Sequence, residues 1–315
     1  MIRVSVIWMS FAFVGSHPVS SQTCTWTPQI NDAPKFQGRA PTATLYTVYQ
    51  PADRKRVTLD VLNATANGSF VSRALRVITV EGTGKNFEMI TGQDGLTFGV
   101  GDFATSDSVF AWMEQVNARH ADKVKAAFGE NADKAVSRRW ISENNAPNVK
   151  GALKNDNGLI ATPWFRQGLA RLLCDPEIRA VQLVVWKTTK VDPSKQFFDE
   201  QKFRLELTLA SMIGLANSMG IGGMKTLFRR SAAKATSSDS TARELEITRE
   251  SLTSYVTADP HRKPGDSDAA RRLLSGGSAA CDSLGHRAKR VCMITRHFEP
   301  TKTVALTEIG SFAIK

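Results

Sequence analysis

Helical periodicity dominates the middle of this 315-residue chain and limits its possible folds more than any other feature. The pattern starts at Phe70, after which Val71, Leu75 and Ile78 fall on one face of a helix. Apolar residues at helical spacing continue, with interruptions, to about residue 230. We therefore predict an α+β, mostly α domain over 70–230, with one small β element at 94–101.

Capping residues and prolines indicate where several of these helices begin and end. Thr162-Pro163 and Asp175-Pro176 each place a capping side chain before a proline, the arrangement that favours a helix start. A longer helix is predicted over 107–128. Another is predicted over 199–219, where it ends in the sequence GIGG.

The first 21 residues are typical of a signal peptide, with Arg3, an apolar stretch and then small residues. The protein is therefore expected to be secreted or periplasmic. No apolar run is long enough for a transmembrane segment. Residues 22–69 read as an N-terminal arm with two short strands around the sequence PADRKR.

The C-terminal third differs from the helical domain in composition. Residues 231–280 are small, polar and interrupted by Gly and Pro, which predicts a linker around one short helix. Residues 281–315 form a C-terminal segment that a disulfide between its two cysteines could stabilise. The net charge of +11 is densest in this third, which suits an anionic partner or serves solubility alone.

Four cysteines are present, and none has the CxxC spacing of a zinc site. An even number in an exported protein predicts two disulfides. Cys281 and Cys292 close a short loop and are the natural pair, and Cys24 with Cys174 follows by elimination. Four buried free thiols are the alternative.

The sequence TGQDGLTFGVGDF, residues 91–103, contains a match to the dinucleotide fingerprint G-x-G-x-x-A in GVGDFA. That fingerprint requires a βαβ unit, and here helical sequence surrounds it. No phosphate-binding Gly-Lys-Ser/Thr follows it, and no metal-ligand cluster is visible. We therefore expect neither a cofactor nor a metal.

Two carboxylates around this segment suit acid–base chemistry. Glu81 lies on the apolar face and at the C-terminal end of its helix, and both features raise the pKa of a carboxyl group. Asp94 lies in a polar glycine turn that favours the ionised form. Such a pair is what glycoside hydrolysis requires, with the Thr97 hydroxyl available to hold the attacking water. The alternative is a helix followed by a hairpin, neither of which has a catalytic role.

The sequence VITVEGTGKNFEMITGQDGLTFGVGDF, residues 77–103, resembles the catalytic segment of the chitosanase and phage-type lysozyme superfamily. The resemblance extends at the level of pattern to 161–173 and 207–228. It implies a lysozyme-like helical domain with a small β-hairpin at the active-site cleft. Glu81 would then be the proton donor, Asp94 the base that activates water, and Thr97 the residue that positions this water.

One spacing departs from that pattern, because Asp94 precedes Thr97 by three residues instead of about five. Asp102 is the reserve candidate for the base, and Glu88 reads as a solvated loop charge. Four further residues are predicted to contact substrate: Gly99, Gly101, Asn217 and Ser218. The glycines would let a sugar approach the backbone, while a helix C-cap explains Asn217 equally well.

These observations predict an exported hydrolase of β-1,4 bonds in an amino-sugar polymer. Peptidoglycan is anionic and fits a basic chain better than the polycation chitosan, although a chitosanase is the first alternative. The second alternative is a non-catalytic glycan-binding or envelope protein on the same scaffold. Nucleic acid is not an expected partner, because aromatics are few in the basic third and a signal peptide precedes the domain.

Overall fold

The computed structural model describes residues 26–31, 46–51, 70–81, 87, 90, 91, 96–101, 103, 106–144 and 162–304. The predicted signal peptide, Cys24, Asp94, Asp102 and the end of the chain from 305 lie outside the described residues.

The described residues fold mostly into helices, which confirms the predicted mostly α class. In chain order, the α-helices are α1 Phe70–Leu75, α2 Ser106–Phe128, α3 Ala132–Ala135, α4 Arg138–Asn144, α5 Pro163–Cys174, α6 Pro176–Trp186, α7 Asp192–Glu200, α8 Glu206–Ala232, α9 Ser240–Thr257, α10 Asp266–Leu274 and α11 His286–His297. Two π-helical segments follow α1 and α6, at Arg76–Glu81 and Lys187–Val191, and single 3₁₀ turns lie at Gly129–Asn131 and Cys281–Ser283.

Four short strands form one antiparallel sheet in the order β1-β2-β3-β4. They are β1 Trp26–Asn31, β2 Tyr46–Pro51, β3 Ile90–Thr91 and β4 Thr97–Phe98. The N-terminal strand β2 pairs with β3 through Tyr49 and Ile90. The predicted arm and the hairpin of the helical domain therefore share a sheet.

The predicted helix starts are found, with a proline in the first turn of each helix. α5 begins at Pro163 after Thr162, and α6 begins at Pro176 after Asp175. The Asp175 side chain accepts a hydrogen bond from the Glu177 backbone N–H at 2.9 Å, which satisfies one free donor of the first turn.

The single helix predicted over 199–219 is wrong. The structure ends α7 at Glu200 and starts α8 at Glu206, and α8 runs through the sequence GIGG to Ala232. Gly220 interrupts α8 with φ 76° and ψ 163°, a conformation that only glycine adopts readily. The helix resumes beyond it because Met224 and Phe228 are buried in the core.

α8 is the central helix of the domain. From Glu206 to Asn217 every residue is buried, and α9, α7, α11 and the second π segment pack around the helix. Within the described part of the chain, α8 alone is long and apolar enough to cross a membrane, and 67% of its most apolar stretch is buried inside the protein. That burial is what a core helix requires.

The stretch predicted as a linker around one short helix instead contains α9 and α10. α9 packs along α8 and buries Ile247, Leu252 and Tyr255, and α10 packs on α9. The small polar residues that suggested a linker lie in the turns and on the exposed faces of these helices. Apolar side chains recur at helical spacing along α9, and this periodicity indicates a helix even though the stretch as a whole is small and polar.

The predicted disulfide between Cys281 and Cys292 is present and joins the 3₁₀ turn Cys281–Ser283 to α11. Cys174 is also disulfide-bonded. No described cysteine is a free thiol.

Candidate active site

The helix that leads to Glu81 is buried and changes its winding just before this residue. Every residue of α1 except Arg73 is buried, and the following segment Arg76–Glu81 is π-helical. π-Helical turns are frequent at functional sites because they redirect the residues that follow them. The Thr79 hydroxyl donates to the Leu75 carbonyl at 2.5 Å, and the segment packs against α11. The backbone of Glu81 therefore ends a helical segment that packs on α11.

Thr97 is the first residue of β4, three positions after Asp94 in the sequence. In the antiparallel pair β3–β4, Thr91 is opposite Thr97 and Ile90 is opposite Phe98. Residues 92–96, with Asp94 in the middle of this sequence, connect the two paired threonines. Thr97 is only 5% exposed, and its hydroxyl has no hydrogen-bond partner among the described residues. This hydroxyl is available to a bound water.

Gly99 and Gly101 are buried against protein, which corrects the prediction that they let a sugar approach the backbone. Gly99 has φ +68°, and a Cβ atom there would lie 2.1 Å from Oε1 of Gln182. A Cβ atom at Gly101 would lie 2.5 Å from the ring of Phe103. Backbone hydrogen bonds between Phe98 and Phe103, of 3.2 and 3.1 Å, close this turn on itself. Both glycines serve tight packing of the hairpin.

Gln182 on α6 is a functional candidate that sequence reasoning missed. Its side chain is buried at 0% exposure, and Nε2 donates to the Phe87 carbonyl at 2.8 Å. Oε1 accepts from the Val100 N–H at 3.2 Å. The available signal was one amide in the apolar run IRAVQLVVW, because a polar residue on a buried helix face needs partners.

Asn217 and Ser218 differ in their surroundings. Asn217 is 8% exposed, and its Oδ1 accepts from the Trp186 indole N–H at 3.1 Å. Ser218 is exposed, and its Oγ accepts from the Tyr255 hydroxyl at 2.6 Å. Asn217 thus joins α8 to α6. Ser218 keeps the accessibility that a substrate contact would need.

Two buried ionic groups support the same region. Arg290 on α11 is 1% exposed and donates to the Gly214 carbonyl of α8 at 3.2 Å. Glu206, at the first turn of α8, is also 1% exposed, and it pairs with Arg73 of α1 at 2.9 Å and with Lys302 at 3.1 Å. These contacts fix α1, α8 and α11 relative to one another, and so fix the support of Glu81.

No protein-family model matches this chain, and no curated protein matches it. The solved structures similar to it include a GH46 chitosanase of Gynuella sunshinyii in complex with chitotetraose, with a TM-score of 0.47 and 17% identity over 64% of this chain and 87% of that one. A mutant chitosanase of Bacillus subtilis complexed with 6 GlcN has a TM-score of 0.47 and 18% identity over 67% and 89%. The native Bacillus subtilis chitosanase has a TM-score of 0.46 and 19% identity over the same shares. The chain is thus similar to these chitosanases over about two thirds of its length, a likeness that carries no information about its chemistry.

Proposed function

We propose that this protein is an exported glycoside hydrolase that cleaves β-1,4 bonds of an amino-sugar polymer, with peptidoglycan as the preferred substrate. The observation that carries the proposal is the environment of Thr97. Thr97 is only 5% exposed, its hydroxyl has no hydrogen-bond partner among the described residues, and the residue follows Asp94 by three positions in the sequence. A pocket for one ordered water beside a carboxylate is what a hydrolytic site needs.

In the proposed reaction, the carboxylic acid of Glu81 protonates the glycosidic oxygen as the bond to the anomeric carbon breaks. Asp94 accepts a proton from the attacking water, and Thr97 orients this water. The water oxygen forms the new bond to the anomeric carbon. A single displacement of this kind requires about 6.5–9.5 Å between the two carboxyl groups, which leaves room for the water.

The packing of the elements that carry Glu81 and Thr97 favours this assignment. Glu81 ends a buried helical segment that packs on α11, whereas Thr97 belongs to a hairpin that packs on α6. Groups carried by separate elements that each pack against the helical body can be held at a fixed distance, which catalysis by positioned groups depends on.

Charge favours peptidoglycan over chitosan as the substrate. The chain carries a net charge of +11, so an anionic polymer is attracted and a polycation is repelled. The alternative is a non-catalytic glycan-binding protein. The three-residue spacing of Asp94 and Thr97 favours it, because this spacing departs from the catalytic pattern. It predicts binding to insoluble peptidoglycan without the release of reducing ends.

The decisive experiment compares the wild type with Glu81→Gln in a reducing-end assay on both peptidoglycan and chitosan. Loss of the proton donor is expected to slow hydrolysis by at least about 10²-fold. Glu88→Gln is the matched control, since Glu88 lies in the same segment and is expected to be a solvated charge. Full activity of Glu81→Gln would end the proposal, and a wild type that binds without cleaving would favour the glycan-binding alternative.

A further inference from the structure

We propose that Gln182 is a positioning residue whose side-chain amide fixes the β3–β4 hairpin on α6, and thereby sets the place of Thr97. The role in catalysis rests on the proposed function. The role in holding the hairpin stands on the structure of the described residues alone.

The hairpin is too short to hold its own geometry. β3 and β4 have two residues each, and the ladder between them consists of two pairs. On the other side, β3 meets β2 through a single pair. Isolated two-stranded hairpins are marginal in water even when they are longer, so this one needs a support from outside the sheet.

Gln182 supplies that support on both sides of the hairpin. Its Nε2 donates to the carbonyl of Phe87, three residues before β3, and its Oε1 accepts from the N–H of Val100, two residues after β4. Both contacts are buried, so water cannot replace them without opening the core. The positive φ of Gly99 and its missing side chain let Oε1 approach this closely.

The two contacts require an amide of this length. A glutamate would match the shape of glutamine but, when ionised, would lose the donor to Phe87 and bury a charge. A leucine would leave both backbone groups unpaired. The substitutions Gln182→Leu and Gln182→Glu therefore test different parts of the proposal.

The first test measures kcat, KM and amide hydrogen exchange for Gln182→Leu. We expect kcat to fall by about 10²-fold with a smaller change in KM, since a displaced Thr97 would no longer orient the attacking water and would impair the chemical step more than binding. The amides of Phe98, Val100 and Phe103 should exchange at least about 10-fold faster, because the hairpin opens locally.

The control is Thr248→Val, which removes a buried hydroxyl that pairs with Thr208 at 2.9 Å between α8 and α9. It destabilises the contact between α8 and α9 and leaves the contacts of Gln182 in place, so it separates positioning from a general loss of stability. Each variant is measured under conditions equally far below its own unfolding midpoint. If Thr248→Val then shows the same loss of kcat and the same faster amide exchange as Gln182→Leu, the proposal is overturned. Unchanged exchange at Val100 in Gln182→Leu would overturn it as well.

The second test is the pH profile of Gln182→Glu. Burial raises the pKa of a carboxyl group, so this side chain regains a donor when it is protonated. The ratio of its kcat to that of the wild type should rise as the pH falls below about 6. A ratio that is constant with pH would contradict the proposed donor contact to Phe87.

Failure of the proposed function would look different. A wild type without hydrolytic activity on any glycan would remove the catalytic role of Glu81, while hydrogen exchange would still report on Gln182. Faster exchange at Phe98 and Val100 in Gln182→Leu, but not in Thr248→Val, would then support the anchoring role. Equal exchange in both variants would overturn it.

Discussion

Gly99 illustrates how a single residue can be needed for packing where its sequence context suggests a ligand. Its backbone has φ +68°, and the place of its missing side chain is filled by Gln182. Gly129 has a similar φ of +59°, but nothing lies within 4 Å of a Cβ atom there. Alanine substitutions at these two glycines therefore separate two contributions to the free energy of unfolding, one from the left-handed backbone and one from packing.

We predict that Gly99→Ala lowers the free energy of unfolding by about 3 kcal/mol, the sum of left-handed backbone strain and overpacking against Gln182. Gly129→Ala should cost about 1 kcal/mol, since only the backbone contribution remains. Urea unfolding of both variants measures the difference. Equal losses would show that Gln182 moves aside without cost and that the hairpin is looser than its hydrogen bonds indicate.

The candidate site shows what a sequence pattern can and cannot indicate. Glu81, Asp94 and Thr97 are close in sequence, so their resemblance to a catalytic segment is readable from a short stretch. Gln182 is 82 residues away from Val100, and only the fold reveals that they meet. The burial of Gly99 depends on that same distant contact, and no local pattern distinguishes a glycine that faces a sugar from one that faces an amide.

Among the elements, those with strong local signals were predicted and those set by tertiary contacts were not. α5 and α6 start where a cap precedes a proline, which is a property of two adjacent residues. The extension of α8 past Gly220 depends on buried contacts of Met224 and Phe228, which override the local cost of glycine. The π segment Arg76–Glu81 likewise follows from packing on α11.

The carboxylate of Glu246 is one of the groups that hold the connection between α8 and α9. Glu246 accepts from the backbone N–H of Ser237 at 3.1 Å and of Thr236 at 3.0 Å, and so folds the turn back on α9. Hydrogen bonds from Ser237 and then Thr236, together with the charge of Arg243, hold the pKa of Glu246 below its ordinary value of 4.5. A lowered folded-state pKa stabilises the protein above the unfolded-state pKa, and this contribution is lost as the pH falls through the folded-state value.

We therefore predict that the wild type has a higher urea midpoint than Glu246→Gln at pH 7, and that this difference shrinks below pH 4.5 and vanishes in stronger acid. Urea titrations between neutral and acid pH measure it. Glu299→Gln serves as the control, because Glu299 is exposed and has no partner among the described residues. A difference that is constant with pH would mean that shape, and not charge, matters at Glu246.

At the scale of the whole molecule, the C-terminal third is part of the helical body. α11 packs on α8 and on the π segment that ends at Glu81, and the Cys281–Cys292 disulfide ties it to the preceding turn. The described part of this basic third therefore packs against the segment that leads to Glu81. The positive charge of the protein can then attract or repel a charged polymer as it approaches the candidate active site.

This arrangement predicts that salt affects hydrolysis differently on polymers of different charge. At pH 6, kcat/KM on peptidoglycan should fall by about 10-fold between low and high salt, because salt screens the attraction of a polyanion to a body of net charge +11. On the polycation chitosan, kcat/KM should rise over the same range, since screening there removes a repulsion. An uncharged polymer, chitin, is the control and should show little change. Initial rates at low substrate concentration measure all three, and a flat salt profile on peptidoglycan would show that the basic surface does not steer substrate and serves solubility alone.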